Sequence, residues 1–201
     1  MIITIDGYCS QGKSFIARKL ARQLEMEYFS TGKFVRYVAH VYSTMLLLDD
    51  LDSNSAIYNA VEQMKKTDIT QIDGCKQLKT ELTEKAMKIV AQCPYVFEQV
   101  IDVIKYFVGS RDIVLDGRFT FDIIPNAERS YYFISSKERR ITLAMKSKQY
   151  SYEEAAEYIA FRDSFEKKYN LPEKVKVIML DEFNSAENLV QYLMNDVRNE
   201  G

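Results

Sequence analysis

The sequence predicts an α/β fold: a five-stranded, mainly parallel sheet flanked by helices. Two observations support this prediction. Five short apolar runs alternate with amphipathic helical segments along the chain, and the polar residues of chemical interest follow the ends of those runs. Ligands of parallel α/β sheets bind beyond the carboxyl ends of the strands. The 201 residues fit one domain that carries an inserted subdomain.

The predicted strands are, in order, MIITI, MEYF, DIVLDGR, SYYFISS and VKVIML. They consist mostly of β-branched, aromatic and other apolar residues, which is typical of buried strands. Helical spacing marks SFIARKLARQLE after the first strand and a long helix around His40 after the second. We expect His40 to face solvent, because polar residues of an amphipathic helix normally do.

The second half of the chain continues the alternation. Ser151 and Glu154 form a capping-box pattern, which predicts a helix that starts there and ends at about Tyr169. Further helices are expected between Ser55 and Val108, with breaks at Asp73-Gly74 and Pro94, in SKERRITLAMK, and in NSAENLVQYLMNDVRN.

Composition excludes several classes of function. Twenty-seven Lys and Arg residues against 29 Asp and Glu give a net charge of -2, which disfavours a nucleic-acid partner. Three scattered cysteines and a single histidine argue against a disulfide framework, a zinc site and a His-dependent hydrolase. The apolar start of the chain is too short for a signal peptide or a membrane span. We therefore expect a cytoplasmic protein with no membrane partner.

The loop after the first strand carries the strongest motif. Gly7, Gly12, Lys13 and Ser14 fit the phosphate-loop (P-loop) pattern G-x-x-x-x-G-K-[ST], with a strand before it and a helix after it. The glycines let backbone amides point at phosphate oxygens, in front of the positive end of the helix. Lys13 is expected to bridge the β- and γ-phosphates of ATP, and Ser14 to bind Mg²⁺. The motif predicts a P-loop NTPase fold.

Asp116 ends the third strand, where a P-loop protein places the carboxylate that holds magnesium. Asp6 is a second candidate near the metal. The chain contains no NKxD sequence, which argues against a common GTPase. Arginines are frequent around the predicted carboxyl edge of the sheet, and their guanidinium groups suit in-line phosphoryl transfer between two anionic substrates. They are Arg36, Arg118, Arg139, Arg140 and Arg162.

Arg118 is the most informative of these arginines, since it lies two residues after Asp116. Arg162, Glu166 and Tyr169 fall on one face of a predicted helix. Their spacing fits a shared ligand and equally a surface ion pair.

Taken together, these residues resemble the bacterial cytidylate kinases, which are nucleoside monophosphate kinases of the P-loop fold. The matching segments are IITIDG with GKS, STG with Arg36 beyond it, LTEKAMKIVAQCPYV, IVLDGR, PNA, SSKERR, FRD and VIMLDEFNSAENLV. The resemblance covers the chain except for about residues 46–78. It implies ATP- and Mg²⁺-dependent phosphoryl transfer to a nucleoside 5'-monophosphate by a monomeric enzyme.

The resemblance also implies roles for individual residues. Residues 32–108 would form a helical acceptor-binding subdomain, and residues 139–165 a lid over ATP. The expected catalytic residues are Lys13, Arg36, Arg118 and Arg162. The expected ATP-binding residues are Gly7, Gln11, Gly12, Lys13, Ser14, Arg139 and Arg140. The expected acceptor-binding residues are Thr31, Gly32, Arg36, Lys105, Arg118, Phe119, Arg162 and Glu166.

The departures from the family pattern concern base recognition. The family motif continues DGRD, and Phe119 stands in place of its cytosine-reading aspartate. Lys105 and Lys88 replace further polar positions, Phe97 and Tyr169 replace arginines, and Ser30 replaces an aspartate. A site that loses its base-reading groups selects its base differently. We therefore expect an acceptor other than cytidine monophosphate, or cytidine monophosphate bound poorly.

Two alternatives remain open from the sequence. One is a P-loop kinase for another small metabolite, with a pocket shaped by Phe119 and Tyr169. The other is a nucleotide-binding regulatory module that retains ATP binding through Lys13 but has little turnover.

Overall fold

The computed structural model describes residues 1–48, 51–164 and 170–199. The chain divides into two compact units. The first combines Met1–Ser30 with Ser110–Gly201, and the second is Thr31–Gly109.

The first unit contains a five-stranded sheet. Its strands are β1 (Ile2–Gly7), β2 (Glu27–Ser30), β3 (Ile113–Asp116), β4 (Arg129–Ile134) and β5 (Val175–Met179). Their order across the sheet is β2-β3-β1-β4-β5, and every neighbouring pair is parallel. The predicted α/β class and the five strands are confirmed. The sheet is parallel throughout, where the sequence predicted a mainly parallel one.

Helices are numbered along the whole chain. Those of the first unit are α1 (Lys13–Gln23), α7 (Thr120–Ile123), α8 (Lys137–Lys148), α9 (Tyr152–Asp163) and α10 (Ala186–Arg198). The main core lies between the sheet and two of these helices: Ile5 and Phe133 of the central strands pack with Leu20 of α1 and Leu193 of α10, all four buried. Parallel strands covered on both faces are apolar along their length, which explains the runs in the sequence.

A smaller core joins helices α8 and α9. Ile141 and Ala144 of α8 pack with Ala155 and Ile159 of α9, and Cys9 from the loop after β1 completes the cluster. All five residues are buried. This apolar contact ties the loop to the helix pair.

The capping box predicted at the start of α9 is present. Ser151 accepts from the amide of Glu154, and the Glu154 side chain accepts from the amide of Ser151. The helix ends at Asp163, with Ser164 as its cap. The sequence predicted that this helix continues to about Tyr169. The prediction is wrong at Ser164, and residues 165–169 lie outside the described residues.

The second unit is helical. It consists of α2 (Gly32–Leu48), α3 (Ser53–Lys66), α4 (Ile69–Gly74), α5 (Glu81–Val90) and α6 (Pro94–Val108), with a short 3-10 turn at Lys76–Lys79. Asp52, Asp68 and Thr80 accept hydrogen bonds from the first-turn amides of α3, α4 and α5, and Pro94 begins α6. These caps and the proline account for the breaks between helices.

His40 is half-buried on α2, so the expectation that it faces solvent holds only in part. It lines a cavity of about 400 Å³ together with Tyr37, Gln63 and Cys75. Burial lowers the pKa of its imidazole. Within the described ranges, no helix is both long and apolar enough to cross a membrane.

Candidate active site

The P-loop lies between β1 and α1 and is held in an unusual backbone conformation. Gly7, Ser10 and Gly12 all have positive φ angles, of 134°, 56° and 76°. A Cβ atom on Gly7 would lie 2.4 Å from the carbonyl oxygen of Phe133, because Gly7 is in register with Phe133 on β4. Only glycine adopts the conformation of Gly7 and fits that space.

The start of α1 is suited to bind an anion. Among the described residues, no side chain caps the helix, and its first turn contains no acidic residue. The first-turn amides and the helix dipole therefore present positive charge at the loop. This is the arrangement that phosphate groups occupy at helix N-termini.

Lys13 places its ammonium group inside the loop, where it donates a hydrogen bond to the carbonyl oxygen of Tyr8. The pKa of Lys13 is lowered to about 8, mainly by burial and also by the nearby charge of Arg118, while the carboxylates of Asp116 and Asp6 oppose the shift. An anionic phosphate in the loop would favour the charged form of this lysine.

Ser14 and Asp116 meet at the carboxyl edge of the sheet. The Ser14 hydroxyl donates to Asp116 Oδ2 over 2.7 Å, and the Tyr28 hydroxyl of β2 donates to Asp116 Oδ1 over 2.8 Å. A serine hydroxyl beside a carboxylate is the oxygen set that Mg²⁺ prefers at a phosphate site. The residues present therefore fit a magnesium ion bound with ATP.

Asp6, the second candidate ligand for the metal, is hydrogen-bonded to the start of α7. Its carboxylate accepts from the amide and hydroxyl of Thr120 (2.8 and 2.6 Å) and from the amide of Phe121 (3.0 Å). Burial raises its pKa to about 6, although these hydrogen bonds oppose the shift. Asp6 therefore caps α7, and its oxygens are directed at that helix.

Gln11, predicted to bind ATP, has a buried side chain. Among the described residues, neither its amide nitrogen nor its carbonyl oxygen has a hydrogen-bond partner. Buried polar groups are usually paired, so an unpaired carboxamide in a P-loop marks a place where a polar ligand would satisfy it.

Arg118 and Phe119 lie on the turn after β3. Arg118 is half-buried and close enough to Lys13 to influence its pKa. Phe119 has a φ of 61°, and its ring contacts Phe121 edge-on, with 6.2 Å between the ring centres. The left-handed conformation is costly for a large side chain, so the backbone at Phe119 is strained.

The arginines of α8 and α9 contact protein groups. Arg139 donates to the carbonyl oxygen of Leu180 and lies 3.7 Å from Asp181. Arg140 is buried and pairs with Asp163. Arg162 lies over the ring of Tyr158, with its guanidinium carbon 5.9 Å from the ring centre. The contacts of Arg140 give no support to its expected role as a direct ATP ligand.

The acceptor-side residues of the second unit are arranged around α2. The Arg36 side chain donates to the carbonyl oxygen of Leu78 over 3.1 Å and to Glu84 over 2.7 Å. Thr31 is buried at the start of the unit, and Gly32 begins α2. Lys105 is exposed on α6. Glu166 lies outside the described residues.

The cytidylate kinase family model matches residues 3–198. The chain belongs to the cytidylate kinase family. It is 31% identical over 188 residues to the cytidylate kinase of Carboxydothermus hydrogenoformans, across 83% of this chain and 81% of that one. It is 28% identical over 179 residues to that of Caldanaerobacter subterraneus, across 82% and 78%.

The fold has a counterpart among solved structures. A crystal structure of an uncharacterized protein from Eubacterium ventriosum superposes with a TM-score of 0.52 at 15% identity, and the match covers 97% of this chain and 98% of that one. The family match confirms the resemblance predicted from the sequence. It places the chain among the P-loop nucleoside monophosphate kinases.

Two contributors to the site of this cytidylate kinase homologue were missed by the sequence analysis. In the sequence, Tyr28 looks like any aromatic residue of a β-strand. Its contact with Asp116 depends on the β2–β3 register, which pairs Tyr28 with Val114 and Ser30 with Asp116. Asp163 directly follows Arg162 in the FRD segment. Its pairing with Arg140 could be suspected only from the proximity of two opposite charges on neighbouring helices.

Replacing Gly7 by alanine should destabilise the kinase by about 3 kcal/mol, because the new methyl group meets the Phe133 carbonyl and the φ angle is strained. Urea unfolding of the purified variant measures the loss. Gly74→Ala is the matched control, since a Cβ there has no neighbour within 4 Å. Equal stability of the two variants would contradict the close approach of β1 and β4.

ATP binding to the kinase should weaken as pH rises through about 8. The free protein loses the Lys13 charge in that range, so ATP must then bind with uptake of a proton. Isothermal titration calorimetry from about pH 6.5 to 9.5 should give about tenfold weaker binding at the upper end. Repeating the titrations in buffers of different ionisation enthalpy counts the proton. A constant affinity with no proton uptake would refute this role of Lys13.

Proposed function

We propose that this protein transfers the γ-phosphoryl group of Mg²⁺·ATP to a nucleoside 5'-monophosphate. The observation that carries the proposal is the convergence of Lys13, Ser14 and Asp116 at one P-loop, in a chain of the cytidylate kinase family. These are the groups that position and neutralise a transferring phosphoryl group.

The donor half of the mechanism rests on the P-loop. The backbone around Gly7 and Gly12 and the first turn of α1 would surround the β- and γ-phosphates, with Lys13 placed against their charge. Ser14 and Asp116 would hold the metal ion. When bound, Mg²⁺ neutralises phosphate charge and orients the phosphates for in-line attack.

The acceptor half rests on arginines. Arg36, Arg118 and Arg162 would gather the acceptor phosphate and the transferring group, and Thr31, Gly32, Lys105 and Glu166 would complete acceptor binding. Glu84 and the Leu78 carbonyl hold Arg36 in one orientation, which lowers the entropy lost when it binds a phosphate. Residues 139–165 would form the lid that excludes water.

We propose further that base selection differs from that of ordinary cytidylate kinases. A phenyl ring at position 119 offers no hydrogen bond to a cytosine edge, where the family carries an aspartate. A pocket that relies on hydrogen bonds rejects a ligand that leaves those bonds unmade, whereas an apolar surface discriminates weakly. The expected acceptor is a nucleoside monophosphate other than cytidine monophosphate, or cytidine monophosphate bound poorly.

ADP release tests the proposal. Purified protein is incubated with ATP, Mg²⁺ and each ribo- and deoxyribonucleoside monophosphate in turn, with Lys13→Ala as the control for the P-loop. We expect ADP to depend on one or a few acceptors and to fall by at least about a hundredfold in Lys13→Ala, because the lysine stabilises the transferring charge. ATP binding without acceptor-dependent ADP would favour a metabolite kinase or a regulatory module. Efficient use of cytidine monophosphate alone would refute altered selection.

Phe119→Asp should improve kcat/KM for cytidine monophosphate by about tenfold if the pocket still fits cytosine, because a carboxylate restores a hydrogen-bond acceptor. Aspartate also tolerates the left-handed backbone of this position better than phenylalanine does. Phe119→Gly is the matched control, since it relieves the backbone without supplying a hydrogen-bond acceptor. An equal gain in both variants would attribute the effect to the backbone and not to base recognition.

A further inference from the structure

Arg140 is a buried cation, and its contacts within the described part of the chain are with residues of the P-loop and of α9. Only 5% of the residue is exposed. Its Nε donates to the carbonyl oxygen of Cys9 over 2.9 Å, and its Nη2 lies 3.3 Å from Cys9 Sγ. Both terminal nitrogens bind the carboxylate of Asp163, Nη1 over 2.9 Å. The guanidinium carbon also lies 5.0 Å from the centre of the Tyr8 ring.

Removing a guanidinium from water is costly unless its charge is paired and its donors are satisfied. The bidentate contact with Asp163 provides the pairing, and Cys9 accepts the donor that remains on Nε. The smaller core of α8 and α9 also contains Cys9. Arg140 therefore fixes the P-loop backbone from outside, at the residue that is already anchored by apolar packing.

The contact at Cys9 determines the direction of the next amide. The C=O of Cys9 and the N–H of Ser10 belong to one planar trans peptide, so they point in opposite directions. When Arg140 holds the carbonyl outward, the Ser10 amide is directed away from Arg140. Ser10 itself has a φ of 56°, a left-handed conformation that is strained for a non-glycine residue.

We infer that Arg140 is a positioning residue that keeps the P-loop in its phosphate-binding conformation before ATP arrives. Arg140 offsets the strain at Ser10 by holding the Cys9 carbonyl, and the Asp163 carboxylate neutralises the charge of Arg140. The same ion pair anchors the end of α9, where Arg162 precedes Asp163. This inference rests on the proposed use of ATP and assigns Arg140 to the protein side of the site, as a support and not a ligand.

Calorimetric titration with ATP tests the inference, without reference to turnover. Arg140→Ala should raise the Kd for ATP about tenfold, because binding must then order the loop. Ser10→Gly should recover at least about threefold of that affinity when added to Arg140→Ala, a larger gain than it gives in the parent, since glycine adopts positive φ without strain. Arg140→Lys should bind ATP with intermediate affinity. Arg111→Ala is the matched control: this exposed arginine pairs with Glu27, at the opposite ends of the strands.

The outcomes separate the inference from the proposed function. Failure of the parent protein to bind ATP would refute the proposed donor and the inference together. An Arg140→Ala variant that binds ATP like the parent would refute the inference alone. A loss that Ser10→Gly does not reverse would overturn the positioning role. If Arg140→Ala does not fold, Asp163→Asn takes its place: loosened ATP binding that Ser10→Gly restores supports the inference, and unchanged binding refutes it.

Discussion

The central position of β1 in the sheet is the constraint on which the site depends. Strand β1 lies between β3 and β4, with Ile5 opposite Asp116 and Gly7 opposite Phe133. The first pairing brings the end of β3 to the P-loop, so that Ser14 reaches the Asp116 carboxylate. The second leaves no space for a side chain at residue 7. The registers of β1 with β3 and with β4 thus set the contact between Ser14 and Asp116 and the need for glycine at residue 7.

Buried charge around the loop is balanced locally. Lys13 lies near two carboxylates and one guanidinium, and the pKa shifts of Lys13 and Asp6 both arise mainly from burial. Arg140 and Asp163 form a second balanced pair on the outer side of the same loop. Such pairs contribute little net stability but fix geometry, and removing one partner is costly. The loop is therefore stiffened from both sides, as preorganised electrostatic stabilisation requires.

Much of this arrangement could be predicted from the sequence, because it depends on local pattern. The strand runs, the P-loop and the capping box of α9 each reside in a few consecutive residues. What could not be predicted depends on register or on distant packing. Tyr28 reaches Asp116 only through the pairing of β2 with β3. Arg140 was expected at the nucleotide. Its contacts with Cys9 and Asp163 could not be predicted, because the charge of an arginine does not tell which group its guanidinium binds.

The way α7 begins has a consequence for the residue before it. Phe119 occupies the cap position of that helix but contributes no side-chain hydrogen bond to it. The amides of Thr120 and Phe121 are instead bound by Asp6, from the central strand. The start of the helix therefore needs no hydrogen bond from the side chain at position 119. A substitution at this position would leave the hydrogen bonds that start α7 in place, provided that the new residue adopts the left-handed backbone, so the turn can change its side-chain chemistry without losing its structure.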